Sequence, residues 1–316
     1  MSGSRPWQKA WFAPLVALVL VYSLFAALSP ETFARAQNLA VMARQTVVVA
    51  IAAVGMTLVI VHGGIDLSVG SGVALTTVVV AKALKAGAGP GTAALAGIAV
   101  AALSGLCNGL LVTRLRLAPF IVTLASMRIL RGVAKGLAGE QKIDADPRGL
   151  DALTTPGGGV FALAPPGVFI ALLLALACAG MLTYTRFGRH VYAVGSNEAT
   201  ARLAGVSVPG LRVLVYTLAA ALTGVAGVME FATLTVGDPT DSGGLELEVI
   251  AAVVIGGASL SGGVGSISGT LVGAVLMTVI KTGCTHLGLS NWVQEILTGV
   301  IIAVAVAFDR VRRDRR

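Results

Sequence analysis

Carboxylates set among glycines in apolar surroundings, and one acid–base pair at helical spacing in a charged segment, are the residues of this chain that could do chemistry. Asp66 lies in Val61-His62-Gly63-Gly64-Ile65-Asp66-Leu67-Ser68-Val69-Gly70-Ser71-Gly72, between two long apolar runs. The pattern Gly-Gly-x-x-Leu-Ser-x-Gly recurs at Gly256-Gly257-Ala258-Ser259-Leu260-Ser261-Gly262-Gly263, again between apolar runs. A helix crossing hydrocarbon carries neither a carboxylate nor a glycine pair without a reason, so breaks are expected at Gly63, Gly64, Asp66 and Ser68, and at Gly256, Gly257 and Ser261. The same interruption written twice is a feature of transport proteins. Two roles stay open for Asp66. Its carboxylate can accept from backbone amides freed by Gly63 and Gly64, or it can sit at a cytosolic helix end facing water. Neither role is that of a catalytic acid.

Several chemistries are excluded by what is missing. A phosphate-cradling loop needs Gly-x-x-x-x-Gly-Lys followed by Ser or Thr, and no Gly-Lys dipeptide occurs here. No cofactor is expected in this chain. His62, His190 and His286 are isolated from one another, which argues against a zinc hydrolase or another metal site. There is no Gly-x-Ser-x-Gly elbow, and an enzyme is not expected. Cys107, Cys178 and Cys284 are far apart in apolar runs, with neither a disulfide framework nor a metal spacing.

The elements that must position these residues follow from composition. The 316 residues are 56% hydrophobic and 12% charged, with a mean hydropathy of +0.88, against about 45–50% and about 25% in a soluble domain. The chain is expected to be an all-α, polytopic membrane protein. Its 40 glycines suit helices that approach closely in lipid. The net charge of +8 lies in short segments between apolar runs, so it orients loops and does not point to nucleic acid. At about 20 residues per span, helices are expected near 11–29, 39–62, 66–86, 92–113, 118–137, 166–185, 211–235, 245–260, 265–285 and 290–308. That makes about ten transmembrane helices with broken or re-entrant segments, in a single domain over 1–316. Arg5 and Lys9 before Trp11–Leu28 have the look of a signal peptide, but the many runs that follow favour a retained first span.

Charge orients the scheme. The N-terminal tail, Arg186–Arg212 and the tail from Asp309 carry +2, +3 and +3, which places both termini in the cytosol. Segment 138–165 and an acidic outer loop at 236–248 carry −2 and −4, the latter from Asp238, Asp241, Glu246 and Glu248. Lys82, Lys85, Arg35 and Arg44 fit poorly, so the second or third span is a candidate half-helix. In the fifth span Arg128, Arg131 and Lys135 share a face that either snorkels to the headgroups or borders a water-filled path. In the ninth, Gly265, Gly269 and Gly273 form a close-packing ridge.

The basic segment 186–212 has a helix start and stop written into it. Ser196 or Asn197 can cap, Glu198 complements the positive helix end, Arg202 follows Glu198 by four, and Gly205 can terminate. A two-turn helix spanning Ala199 and Leu203 is expected to project from a cytosolic loop as a docking element.

Three separated motifs then carry a family resemblance: Gly63-Gly64-Ile65-Asp66-Leu67-Ser68-Val69-Gly70-Ser71, the stretch Ala193–Val206, and Glu248–Leu260 with Gly262-Gly263. Together they resemble the permease subunits of ribose-type ATP-binding cassette sugar importers over nearly the whole chain. The resemblance implies translocation of a sugar or similar polar solute across the inner membrane. It also implies a second permease subunit, identical or paralogous, a cytosolic ATPase that binds the ATP, and an extracytoplasmic solute-binding protein. The family's coupling helix falls on Ser196–Gly205. His62 replaces the polar residue usual before Gly63, and either adds pH sensitivity or caps the break. Leu245 replaces an aromatic residue beside Glu246 and Glu248, at the expected outer gate. From the residues alone the alternative is an ion- or proton-coupled secondary transporter, with Asp66, Glu246 and Glu248 as ligands at broken helices.

Overall fold

The computed structural model describes residues 12–157 and 164–314, with side chains to Ala307. Arg5, Lys9 and the side chains of the C-terminal arginines lie outside the described residues. All ten runs read as spans contain a helix: α1 (Phe12–Leu28), α2 (Ala36–Val61), α3 (Val69–Lys85), α4 (Pro90–Arg114), α5 (Pro119–Ala138), α6 (Pro166–Tyr184), then α9 (Val208–Leu234), α10 (Leu245–Ile255), α11 (Ile267–His286) and α12 (Asn291–Asp314). Two shorter helices, α7 (Arg186–Ser196) and α8 (Glu198–Leu203), fill the basic segment. Among the described residues, five helices are long and apolar enough to cross a membrane alone: α2, α4, α6, α9 and α11.

Two expected spans are shortened. α10 stops at Ile255, after eleven residues, so it reaches about 16 Å, half of a ~30 Å hydrocarbon layer. The expected 245–260 span is therefore a half-helix, because Gly257 ends it with φ +93°. α3 begins at Val69 and not at 66, leaving 62–68 non-helical. Segment 138–165 is likewise not plain loop. Its Ile143–Asp144 (β1) pairs antiparallel with Val236–Gly237 (β2), and Leu150–Leu153 forms a 3-10 turn.

α2 is the centre of the bundle. From Val47 to Val61 it is buried on every side, as expected of a helix that is apolar all round. Small residues bring its neighbours in. A Cβ on Gly55 would stand 2.8 Å from the Ala219 carbonyl oxygen, and one on Gly224 would stand 2.7 Å from Ile98 Cα, so α9 seats against both α2 and α4. Gly72 faces Thr223 and Gly227 faces Thr76, so α3 runs parallel to α9. Thr223 is fifteen residues into α9 and Gly72 three residues into α3, so α3 starts about 18 Å along α9, inside the bundle. In the expected ridge, Gly269 and Gly273 pack on the α10 backbone. Gly265 precedes α11 and packs on Val61 and Ala258 instead.

The acidic segment also turns inward along α3. Gly237 of β2 lies against Thr77 and Ala81, while Ser242 and Glu246 further on lie against Gly70. The chain thus descends about 10 Å along α3 before α10 begins, and the first turns of α3 and α10 abut.

Replacing Gly273 by Leu is expected to destabilise the fold by about 1–3 kcal/mol through overpacking against Ala252. Gly180→Leu on α6, with nothing within 4 Å, is expected to melt like the wild type in detergent.

Candidate functional site

Helix ends determine where the two Gly-Gly breaks meet. At the first, the Gly63 N–H bonds Ile60 O and the Gly64 N–H bonds Val59 O, both at 2.9 Å. At the second, the Gly257 N–H bonds Val254 O and the Ala258 N–H bonds Val253 O. Each is a Schellman cap, and Gly63 therefore corresponds to Gly257, one position off the Gly-Gly alignment in sequence. α8 ends the same way, with Gly205 at φ +83°. The repeat thus encodes two helix ends, followed by different paths.

The breaks converge with the start of the basic segment. The Gly263 N–H donates to Val61 O at 2.8 Å. Gly262 lies against Gly195 and Gly63, and Gly263 lies against Ser196. Three chain segments therefore touch through backbone at one junction, at the bundle end that carries Arg186, Arg189, Arg202 and Arg212. Tyr192 on α7 adds a bond from its hydroxyl to Gly265 O at 2.8 Å. Ser261 pairs with the Ser259 hydroxyl at 3.2 Å. The junction encloses a cavity of ≈ 230 Å³ lined by His62, Gly64, Asn197, Glu198, Arg212 and Tyr216 among others. His62 is the C-cap of α2 and is buried. The capping role is the one its position supports.

α8 is fastened to this junction. Asn197, not Ser196, is its cap, accepting from the Thr200 N–H at 2.9 Å, while Ser196 ends α7. Glu198 accepts from Arg202 at 2.8 Å and from Arg212 on α9 at 2.7 Å. Burial pushes the Glu198 carboxyl up, but the Arg212 charge and the bonds from both arginines bring it net below the ordinary carboxylate range. Ala199 is exposed on α8 and Leu203 is 90% exposed at its tip. The link to Arg212 has no local sequence signal, because its partner is 14 residues away.

Asp66 is buried, 3% exposed, which removes the water-facing reading. Its Oδ1 accepts from the Ser68 N–H at 2.8 Å and the Ser68 hydroxyl at 2.5 Å, and not from amides freed by the glycines. Those amides are already used by the helix cap. Asn108 Nδ2 donates to Ser68 Oγ at 3.2 Å, and the Ser126 hydroxyl donates to Asn108 Oδ1. Ile65 O receives the hydroxyls of Thr123 at 3.2 Å and Tyr216 at 3.5 Å. The non-helical segment is thus tied to α4, α5 and α9. The sequence reading missed Asn108, although a lone amide in an apolar span is a signal of interhelical hydrogen bonding.

Glu246 and Glu248 part company. Glu246 lies at the first turn of α3, while Glu248 pairs with Lys281 of α11 at 2.8 Å. Arg131 neither snorkels nor faces water alone. Its guanidinium donates to Pro239 O at 3.0 Å and Asp241 O at 2.5 Å, which holds the inturned segment. Arg128 and Lys135 are exposed. Lys82 donates to Leu137 O at 2.9 Å at the end of α5, which accounts for its position. Among the described residues no cluster of His, Cys, Asp and Glu could hold a metal ion.

Residues 38–306 match a family model described as the permease component of branched-chain amino acid transport systems. The chain is 39% identical over 322 residues to the ribose import permease protein RbsC of Escherichia coli (strain K12), covering 99% of this chain and 98% of that one. It is 37% identical to RbsC of Bacillus subtilis (strain 168), covering 94% and 92%. It is 36% identical to the autoinducer 2 import system permease protein LsrC of Yersinia pseudotuberculosis, covering 93% and 83%. A solved metal-chelate type ABC transporter in an inward-facing conformation aligns with 93% of this chain and 95% of its own, at 17% identity and a TM-score of 0.49.

Two outcomes are expected from this geometry. Asn108→Leu leaves the Ser68 and Ser126 hydroxyls without their partner and is expected to cost about 1–3 kcal/mol in a thermal melt, while Leu at the exposed neighbour Cys107 leaves the melt unchanged. A depressed carboxyl gives stability that is present above its unfolded value and lost as pH falls through the folded one. Amide exchange over 198–206, corrected for intrinsic rate, is therefore expected to stay slow at neutral pH and to accelerate only below about pH 4.3, the ordinary Glu value.

Proposed function

We propose that this chain, which belongs to the family of permease components of branched-chain amino acid transport systems, is the membrane subunit of an ATP-driven importer for a sugar or similar polar small solute. The observation that carries this reading is the junction, where a short capped helix is fastened by Glu198 and Arg212 to α9 and by Gly195 and Ser196 to both helix breaks. A push on α8 would reach the starts of 62–68 and 257–266 through backbone contacts. The exposed Leu203 at the tip of α8, beside Arg202, suits a partner surface that buries it. The ribose and autoinducer 2 permeases that the chain resembles favour a hydroxylated solute.

In this reading the basic end is cytosolic, both termini are inside, and the protein sits in the inner membrane with a second permease subunit. ATP is bound and hydrolysed by a separate cytosolic ATPase, and an external binding protein delivers the solute. The chain itself performs no catalysis and holds no cofactor. The solute crosses where polar backbone is already enclosed by protein, so it needs only weak contacts to avoid the several kcal/mol per unsatisfied polar group of a hydrocarbon crossing.

Proteoliposomes holding the permease with its ATPase and binding protein provide the test. Leu203→Glu is expected to lower binding-protein-stimulated ATP hydrolysis and solute uptake together, by at least about tenfold, the equivalent of one unburied leucine. Uptake that runs without any ATPase on a proton or sodium gradient would overturn the reading.

A further inference from the structure

α12 has two unlike faces. Asn291, Gln294, Glu295 and Thr298 recur at helical spacing on one, whereas Trp292, Ile296, Val300 and Val304 are exposed on the other. The polar face occupies only the first two turns, and from Val300 to Ala307 the helix is apolar. A uniformly lipid-facing helix would have no such stripe.

The stripe faces a cavity of ≈ 540 Å³ between α10, α11 and α12, within the roughly 300–1,000 Å³ usual for small-molecule sites. The Glu248–Lys281 ion pair forms one wall, Gly243 and Gly244 of the inturned segment lie above it, and Met277, Ile280 and Cys284 give an apolar side. The polar groups of α12 are not all engaged. Thr298 donates to Gln294 O at 2.9 Å, and the Gln294 amide donates to Leu289 O at 3.0 Å. Asn291 and Glu295 have neither a hydrogen bond nor an ion pair with any described residue. Polar side chains at a membrane-spanning helix are costly unless satisfied and usually mark a solute or ion path.

We propose that this cavity is the receiving site for a neutral, hydroxyl-rich solute, entered from the end of the bundle opposite the junction. The proposal rests on the importer reading above. Asn291, Glu295 and the Glu248–Lys281 pair offer donors and acceptors to hydroxyls, while Met277 and Ile280 meet the C–H face of a sugar ring. The cavity holds two carboxylates, Glu248 and Glu295, against one ammonium, Lys281. Sugar acids and sugar phosphates are therefore disfavoured, and a neutral pentose or hexose is accepted.

The test uses the complete complex in proteoliposomes, with radiolabelled D-ribose as the probe. Asn291→Leu combined with Glu295→Leu is expected to lower ATP-driven ribose uptake about tenfold, the equivalent of one or two lost hydrogen bonds, while binding-protein-stimulated ATP hydrolysis persists. Ile296→Ala, on the exposed apolar face, is expected to stay within about twofold of wild type, since no solute contact is removed. A double variant that imports ribose at the wild-type rate overturns the proposal and leaves the importer reading intact. A wild-type complex that imports neither D-ribose nor another neutral pentose or hexose with ATP overturns the proposal, whereas the importer reading falls only if uptake runs without the ATPase on a proton or sodium gradient. Thr298→Cys, in a chain whose three cysteines are replaced by Ser, gives a readout that does not depend on turnover. A membrane-impermeant thiol reagent added outside is expected to label it, with labelling slowed severalfold by D-ribose and unaffected by ribose 5-phosphate. Labelling no faster than at Ile296→Cys, or equal protection by the phosphate, overturns the site as drawn.

Discussion

Backbone amides and carbonyls have no water to bond within hydrocarbon, and this constraint decides where the helices of this protein are allowed to stop. Three non-helical stretches adjoin the helix ends of the bundle, and in each of them backbone groups find partners in the protein. In 62–68 the Ile65 carbonyl receives Thr123 and Tyr216, and Asp66 takes the Ser68 amide. In 238–244 Arg131 takes the Pro239 and Asp241 carbonyls, and Asp238 takes the Thr240 amide and Lys142. In 257–266 the Gly263 amide finds Val61 and the Gly265 carbonyl finds Tyr192. The polar side chains that looked like candidate solute ligands are thus largely occupied in holding the backbone.

Enclosure explains the arrangement of the half-helices. α3 and α10 both begin inside the bundle and present their N-terminal turns to one another, which places two partial positive ends in proximity. Glu246 lies at that meeting point. From there α10 runs to the junction and α3 runs away from it. A displacement applied at the junction therefore acts directly on the far end of α10, whose start borders the polar cavity of α12.

The junction is built from glycine backbone, so it has few side-chain rotamers through which a displacement could be absorbed. Val61, Gly195, Ser196, Gly262 and Gly263 touch at main-chain distances, and a side chain at Gly195 or Gly263 would separate them. Close-packed interiors transmit displacement instead of dissipating it. Glu198 extends this rigidity to α8, since one carboxylate bridges a local arginine and one on α9.

The sequence by itself determined the class, the ten helix positions, the two breaks and the capped helix after Asn197, because hydropathy, glycine and capping are local properties that neighbours in the chain reveal. It also carried the motifs through which the family resemblance was recognised. Tertiary structure decided the rest. Whether α10 spans or stops half-way depends on the Gly257 cap and on Arg131 drawing 238–244 inward, an arginine 108 positions from its first partner. That Asp66 bonds Ser68, that Asn108 closes the network and that Arg212 fastens α8 are facts of distance between helices. The polar stripe of α12 was written in the sequence as four residues at helical spacing, but only the packing of α10 and α11 against it makes a cavity of that face.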